Sequence, residues 1–241
     1  MIMNKLAALI AEKTPIYPVI IPSTGKKTTF RPFFVKEEKI LLMAQESHND
    51  TEILLAIKDI IESCVEDVKD AQNLPLFDIE YLFVQLRAKS VGEVVEPILV
   101  CPDTGENIPL KVNLTEVTII NDKNHNNKIK IADDIMVKMK YPSISILEKR
   151  GSVIDYSNPS SFYDLIVDCI ETIQTKDESI VAEELMREEL EEFVDSMTKE
   201  QFNLLLDFFI TCPRLEHEVK YTASDGKERT FVLSGLGDFF E

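Results

Sequence analysis

The chain has 241 residues, 44% of them hydrophobic, with 43 Asp and Glu set against 26 Lys and Arg for a formal net charge of −17. This composition excludes disordered, low-complexity and collagen-like classes and supplies enough apolar material for a substantial core. A chain this acidic argues against binding nucleic acid or anionic membranes and favours basic partners.

No apolar run approaches the roughly 20 residues of a membrane span. Residues 1–12, MIMNKLAALIAE, read as an amphipathic helix without a cleavage site. Residues 14–34 read as two extended runs joined by a turn at Gly25, with Pro18, Pro22 and Pro32 keeping them at a sheet edge. A helix is expected from Lys36 to about Ser47, carrying Ile40, Leu41, Met43 and Ala44. Asp50 then reads as the cap of a long helix with Ile53, Ile57, Ile60, Ile61, Cys64, Val65 and Val68 at helical spacing. Asp78 reads as the next cap, with Phe77 stapling onto Leu82, and Arg87 and Lys89 occupy that helix's last turn before Gly92. Phe30, Phe33, Leu41, Leu82 and Leu86 are the expected core where these elements meet.

A second hairpin turns near Gly105 within EPILVCPDTGENIPLKVNL. The polar stretch 121–128 reads as a structureless linker, dividing an N-terminal hairpin-plus-helices domain (1–120) from a C-terminal α+β region (129–241). In that second region a strand alternates through Ile135, Val137, Met139 and Tyr141, and a helix starting at Asn158-Pro159 carries Phe162, Leu165, Ile166, Cys169, Ile170 and Ile173. A charged helix is expected from about 179 to 197, with Glu184, Glu188 and Glu192 stacked on one face and Arg187 offsetting Glu183 and Glu191. Thr198 and Gln201 form a capping box for an apolar helix ended by Cys212-Pro213. A third hairpin turns near Gly226, and the chain closes on Leu236, Phe239 and Phe240.

No catalytic constellation is present. Gly25-Lys26-Lys27-Thr28 lacks the upstream glycine and following helix of a phosphate loop. His48, His125 and His217 are scattered without metal-ligand spacing. The four cysteines (Cys64, Cys101, Cys169, Cys212) form no CxxC pair and read as reduced, mostly buried thiols of a cytoplasmic protein. The expectation is therefore a non-enzyme with no cofactor, no metal and no small-molecule substrate. The candidate partner-binding residues are Glu184, Glu188, Glu191 and Glu192 of the acidic segment, Leu236, Phe239 and Phe240 of the tail, and the basic pair Arg87 and Lys89. The tail admits two readings, self-packing and docking into a partner's groove. An acidic nucleic-acid mimic, or an enzyme with an unfamiliar carboxylate site, remain the alternatives to a protein-binding role.

Two segments in order, FRPFFVKEEKILLMAQES (30–47) and DIEYLFVQLRAKSVGE (78–93), with the long helix between them and CPDTGENIPLKVNL after, carry a family likeness. The arrangement resembles the baseplate hub assembly family of T4-type contractile-tailed phages, over residues 14–120 and on through Lys140-Tyr141-Pro142-Ser143. The resemblance implies a virus-encoded hub component or assembly chaperone, whose partners are other baseplate hub or tail proteins. It implies the host cytoplasm during assembly, with retention in the virion tail open. Some members carry a paired-cysteine knuckle where this chain has Cys101-Pro102-Asp103-Thr104-Gly105-Glu106; with one cysteine here, no metal is expected at that hairpin. The expected fold is α+β, with several β-hairpins packed against amphipathic helices in two subdomains.

Overall fold

A computed structural model of the chain describes residues 9–150 and 159–240. Most of the helix expected at 1–12, the helix start at Asn158, and Glu241 lie outside these residues. The helices are α1 (Val35–Glu46), α2 (Asp50–Cys64), α3 (Leu76–Ser90), α4 (Ile144–Arg150), α5 (Pro159–Asp168), α6 (Arg187–Asp195), α7 (Lys199–Thr211) and α8 (Gly237–Phe240). The strands are β1 (Tyr17–Ile20), β2 (Lys27–Phe30), β3 (Val94–Val95), β4 (Ile98–Val100), β5 (Asn107–Pro109), β6 (Val112–Asn113) and β7 (Thr118–Ile120), then β8 (Lys128–Ala132), β9 (Ile135–Met139), β10 (Ile170–Gln174), β11 (Ser179–Val181), β12 (Arg214–Thr222) and β13 (Glu228–Ser234). The fold is α+β, and every paired strand in it is antiparallel to its neighbour. No helix among the described residues is long and apolar enough to cross a membrane.

The chain forms two units, Met1–Ile120 with Arg214–Glu241, and Asn121–Pro213. The C-terminal region expected over 129–241 is thus corrected. Its terminal hairpin returns to the first unit because Leu215 of β12 pairs with Ile119 of β7. Pairing between distant strands leaves no mark on local composition, so the return was invisible in the sequence.

In the first unit, two hairpins are built alike. Val19 pairs with Thr28 in one, and Leu99 pairs with Ile108 in the other, each 80 positions further on. Their turns close identically: Gly25 N–H donates to Ile21 O at 2.8 Å and Ile21 N–H to Lys26 O at 2.9 Å, while Gly105 and Cys101 make the same two bonds at 2.8 and 2.9 Å. Each turn needs a positive φ, +67° at Gly25 and +72° at Gly105, which glycine adopts without a Cβ penalty. The terminal hairpin is one residue tighter, with Gly226 N–H donating to Ala223 O at 2.9 Å.

Helix α2 is capped by Asn49, not Asp50: the Asn49 carboxamide oxygen accepts from the Thr51 and Glu52 amides. Ala56, Ile57, Ile60, Ile61 and Cys64 recur at three- and four-residue spacing and are buried. Helix α3 begins at Leu76, two residues before the cap expected at Asp78. Asp78 instead lies fully buried inside the first turn, where its carboxylate accepts the Ser23 amide at 2.9 Å and the Ser23 hydroxyl. Burial raises its pKa and the two Ser23 bonds pull it back, leaving it above the ordinary value. One side chain thereby ties the first hairpin to the third helix. Phe30, Phe33, Leu82 and Leu86 are core as expected, whereas Leu41 is only half-buried. At the junction, Arg31 meets the buried Glu37 at 2.9 Å. Burial would raise the Glu37 pKa, but Arg31 and the Phe34 amide outweigh it and hold the carboxylate low.

The second unit is a four-stranded meander, β11-β10-β9-β8, with helices α4 to α7. Val137 and Met139 alternate inward on β9 and are fully buried. Helix α5 stops at Asp168, so Ile170 and Ile173 sit in β10 rather than on the helix expected to carry them. The run Ile170-Glu171-Thr172-Ile173 is rich in β-branched residues, and pairing with β9 and β11 decides its state. The capping box of Thr198 and Gln201 opens α7, with Cys212 as its C-terminal cap.

Candidate protein-docking surfaces

The acidic segment is not one helix. Ser179–Val181 is a strand paired with β10, Ala182–Glu184 a 3-10 turn, and only Arg187–Asp195 is α-helical. The expected ladder of Glu184, Glu188 and Glu192 is therefore broken. Glu188 and Glu192 stay one turn apart on α6, while Glu184 lies on the preceding turn; all three are exposed. Leu190 and Val194 bury the opposite face. Arg187 holds Glu191 at 2.7 Å, Asp168 at 2.6 Å and Asp164 at 3.0 Å, so Glu191 is tied into a fork of ion pairs shared by three carboxylates. Glu188 and Glu192 are the carboxylates this helix presents outward.

The tail packs on its own unit. Phe239 is 1% exposed and joins a cluster with Val84, Val112, Leu114, Leu215 and Leu233. Phe240 meets Phe83 edge-on at 5.8 Å between centroids, and Arg87 sits over the Phe240 ring at 5.8 Å. Leu236 packs against the same cluster. This corrects Phe239 as a docking residue: its ring has no surface to offer. Lys89 is partly covered too, pairing with Glu93 and lying over the Tyr17 ring at 5.5 Å.

Glu80 of α3 lies against Gly235, at the start of that tail; a Cβ on Gly235 would stand 3.5 Å from the Glu80 carboxylate. Burial pushes its pKa up to about 7. A carboxyl whose folded pKa exceeds its unfolded value stabilises the fold fully below about pH 4.5 and loses that contribution as the pH rises through about 7. Glu80→Gln should therefore melt like the wild type near pH 4.5 and above it near pH 8. Parallel melting profiles for the two proteins would contradict the assignment.

Two turns of the first unit face each other. Arg229 binds Asp103 at 2.8 Å and Asp225 at 2.8 Å, and Glu106 accepts the Ser224 amide at 2.7 Å. The Asp225 carboxyl is held down to about 2, chiefly by Arg229. The Cys101 thiol is buried and accepts from Thr104, whose hydroxyl is the main influence drawing it down to about 7; Tyr221 O–H also donates to it at 3.7 Å. Among the described residues no group of three or more His, Cys, Asp or Glu is placed to hold a metal ion.

The stretch expected to be a structureless linker carries a structural histidine. His125 bridges the Thr211 and Tyr141 hydroxyls at 3.0 Å each and joins a three-ring cluster with Tyr141 and Phe208, whose centroids all lie 5.1–5.6 Å from one another. Thr211 spends its own proton on Asp207 O, so it accepts from Nδ1–H, and Tyr141 O–H donates to Nε2. Burial lowers the His125 pKa, against a smaller raising influence of Asp122.

A family model described as T4 bacteriophage base plate protein matches residues 14–241. The chain belongs to that family. The match spans both units, including the C-terminal half that the short motifs did not reach. The chain is 29% identical over 214 residues to the baseplate hub assembly protein gp26 of Enterobacteria phage T4, covering 88% of this chain and 91% of that protein. No solved structure matches. A base plate protein of this kind has a role at the phage baseplate hub. Sequence reasoning named Glu188 and Glu192, which lie exposed, but did not foresee the tie of Asp78 to Ser23, the burial of Glu80 or the bridge made by His125. Each of these three is defined by a partner distant in sequence, so no local signal marked it.

Proposed function

We propose that this chain assembles the central baseplate hub by non-catalytic contact with other hub proteins, during assembly in the host cytoplasm. The observation that carries the reading is the near full-length similarity to a protein named for baseplate hub assembly. The structure is compatible in kind: Glu184, Glu188 and Glu192 are exposed carboxylates of the second unit, and Arg87, Lys89, Leu236 and Phe240 are half-exposed in the first. Electrostatic steering by the α6 carboxylates would speed encounter with a basic hub surface without locking the complex. Reversing Glu188 and Glu192 to Lys should then slow association with the hub partner by roughly tenfold at low salt, with little change at high salt. An association rate indifferent to both changes would show that α6 is merely solvated. The function itself is tested in the phage. A stop codon early in this gene should leave baseplates without hubs by electron microscopy, restored by the wild-type protein supplied in trans; complete hubs without it would refute the proposal.

A further inference from the structure

Strand β13 leaves an unguarded edge. It is the outermost strand of the sheet β13-β12-β7, runs for seven residues, and pairs with β12 without a break in register. No strand among the described residues pairs with its far side. Soluble proteins blunt such edges with short length, proline or lysine, because unpaired amides invite another strand. The other edges here follow that rule. Lys128 and Lys130 guard β8, Lys27 guards β2, Pro18 and Pro109 interrupt β1 and β5, and the remainder are three residues or fewer. Strand β13 has neither Pro nor Lys.

The hydrogen bonds at its two ends fix which groups face outward. Gly235 N–H crosses to Leu215 O and Ala223 N–H reaches Lys227 O, so odd-numbered residues of β13 turn towards β12. Glu228, Thr230, Val232 and Ser234 therefore turn their amides and carbonyls away from it. Ser234 N–H accordingly meets the Asp238 carboxylate at 2.7 Å. Thr230 and Val232 hold theirs at the open edge, and both residues are exposed.

We propose that this edge receives an extended segment of another baseplate hub protein as an added strand, apolar at its middle and basic at its ends. The inference rests on the hub role proposed above and names a surface through which it is exercised. Backbone bonds give an added strand its affinity, and alternate side chains give it specificity. The charges select the occupant. Arg229 is held by Asp103 and Asp225, and Lys227 lies beside Asp225. On β12, Lys220 opposite Thr230 and Glu218 opposite Val232 offset each other, and Glu216 is paired with Arg214. Glu228 at one end of the edge and Asp238 at the other have no ion-pair partner among the described residues, with Thr230, Phe231 and Val232 between them. Antiparallel pairing with a second copy about Phe231 would bring Glu228 to Ser234 and its Asp238 cap, like charge on like. A strand with basic ends meets both carboxylates instead.

Hydrogen exchange resolved to single amides tests this, on the full chain alone and co-expressed with each hub protein of the same phage in turn. In the complex the Thr230 and Val232 amides should exchange at least about tenfold more slowly. Thr230→Pro removes an outward N–H and no bond to β12, so it should leave the fold intact and weaken binding at least about tenfold. Glu228→Lys, at an exposed position, should weaken binding about threefold, and it decides the matter if the proline disturbs the hairpin. A complex in which both amides stay unprotected and Glu228→Lys binds as the wild type does overturns the strand addition while leaving the hub role standing. No complex with any hub protein overturns the hub role and this inference together. Protection of both amides in the free chain as it dimerises would give the edge to a second copy and overturn the proposed occupant.

Discussion

Replacing Leu82 by Ala should destabilise the protein by about 2–5 kcal/mol, the range for emptying a buried leucine site that cannot fully collapse. Leu82 is 1% exposed on α3, between the buried Ile79 and Leu86 on a helix that packs against α2. Asp78 on the same helix anchors the first hairpin through Ser23, so the helix has little freedom to shift into the cavity. Urea unfolding measures the effect, with the midpoint falling and the slope unchanged. An unchanged midpoint would mean that α3 presents another face to the core.

Phe239→Ala should cost about 3–5 kcal/mol, as much as any aromatic truncation in a core. Its ring is sealed within the cluster that joins α3, β6, β12 and β13, although it is the third residue from the end of the 241-residue sequence. Phe240→Ala should cost less, because that ring is only half-buried and leans on Phe83 and Arg87. Thermal melting of the two variants, with a chain lacking 236–241, checks this ordering. A truncated protein that melts unchanged would contradict self-packing.

Local chemistry accounts for what the sequence made legible. The turns at Gly25 and Gly105 need only a glycine at a left-handed position, and the α7 start needs only Thr198 and Gln201 three residues apart. The errors arise where distant partners decide. Residues 179–181, Ser-Ile-Val, stand just before a run rich in glutamate that continues into helix α6, yet β10 offers them a strand partner and takes them into the sheet. The three-residue spacing of Ile170 and Ile173 suits a helix and not a regular strand, and a register irregularity between Ile170 and Thr172 in the pairing with β9 lets β10 bury both. Asp78 carries every mark of a helix cap, but the first hairpin lies close enough to use its carboxylate. Ile40 and Met43 fit a buried helical face by spacing, whereas the structure turns them outward with Val35 and Leu42. Of the candidate docking residues, Glu188 and Glu192 are exposed on the face of α6 opposite Leu190 and Val194, while Phe239 is withdrawn because β13 leads the tail back onto α3.

Co-expression of this chain with each hub protein of the same phage, one at a time, tests the central claim most directly. Size-exclusion chromatography with light scattering should show a complex of defined stoichiometry with at least one of them. Elution of this chain apart from every hub protein would contradict a role exercised by protein contact.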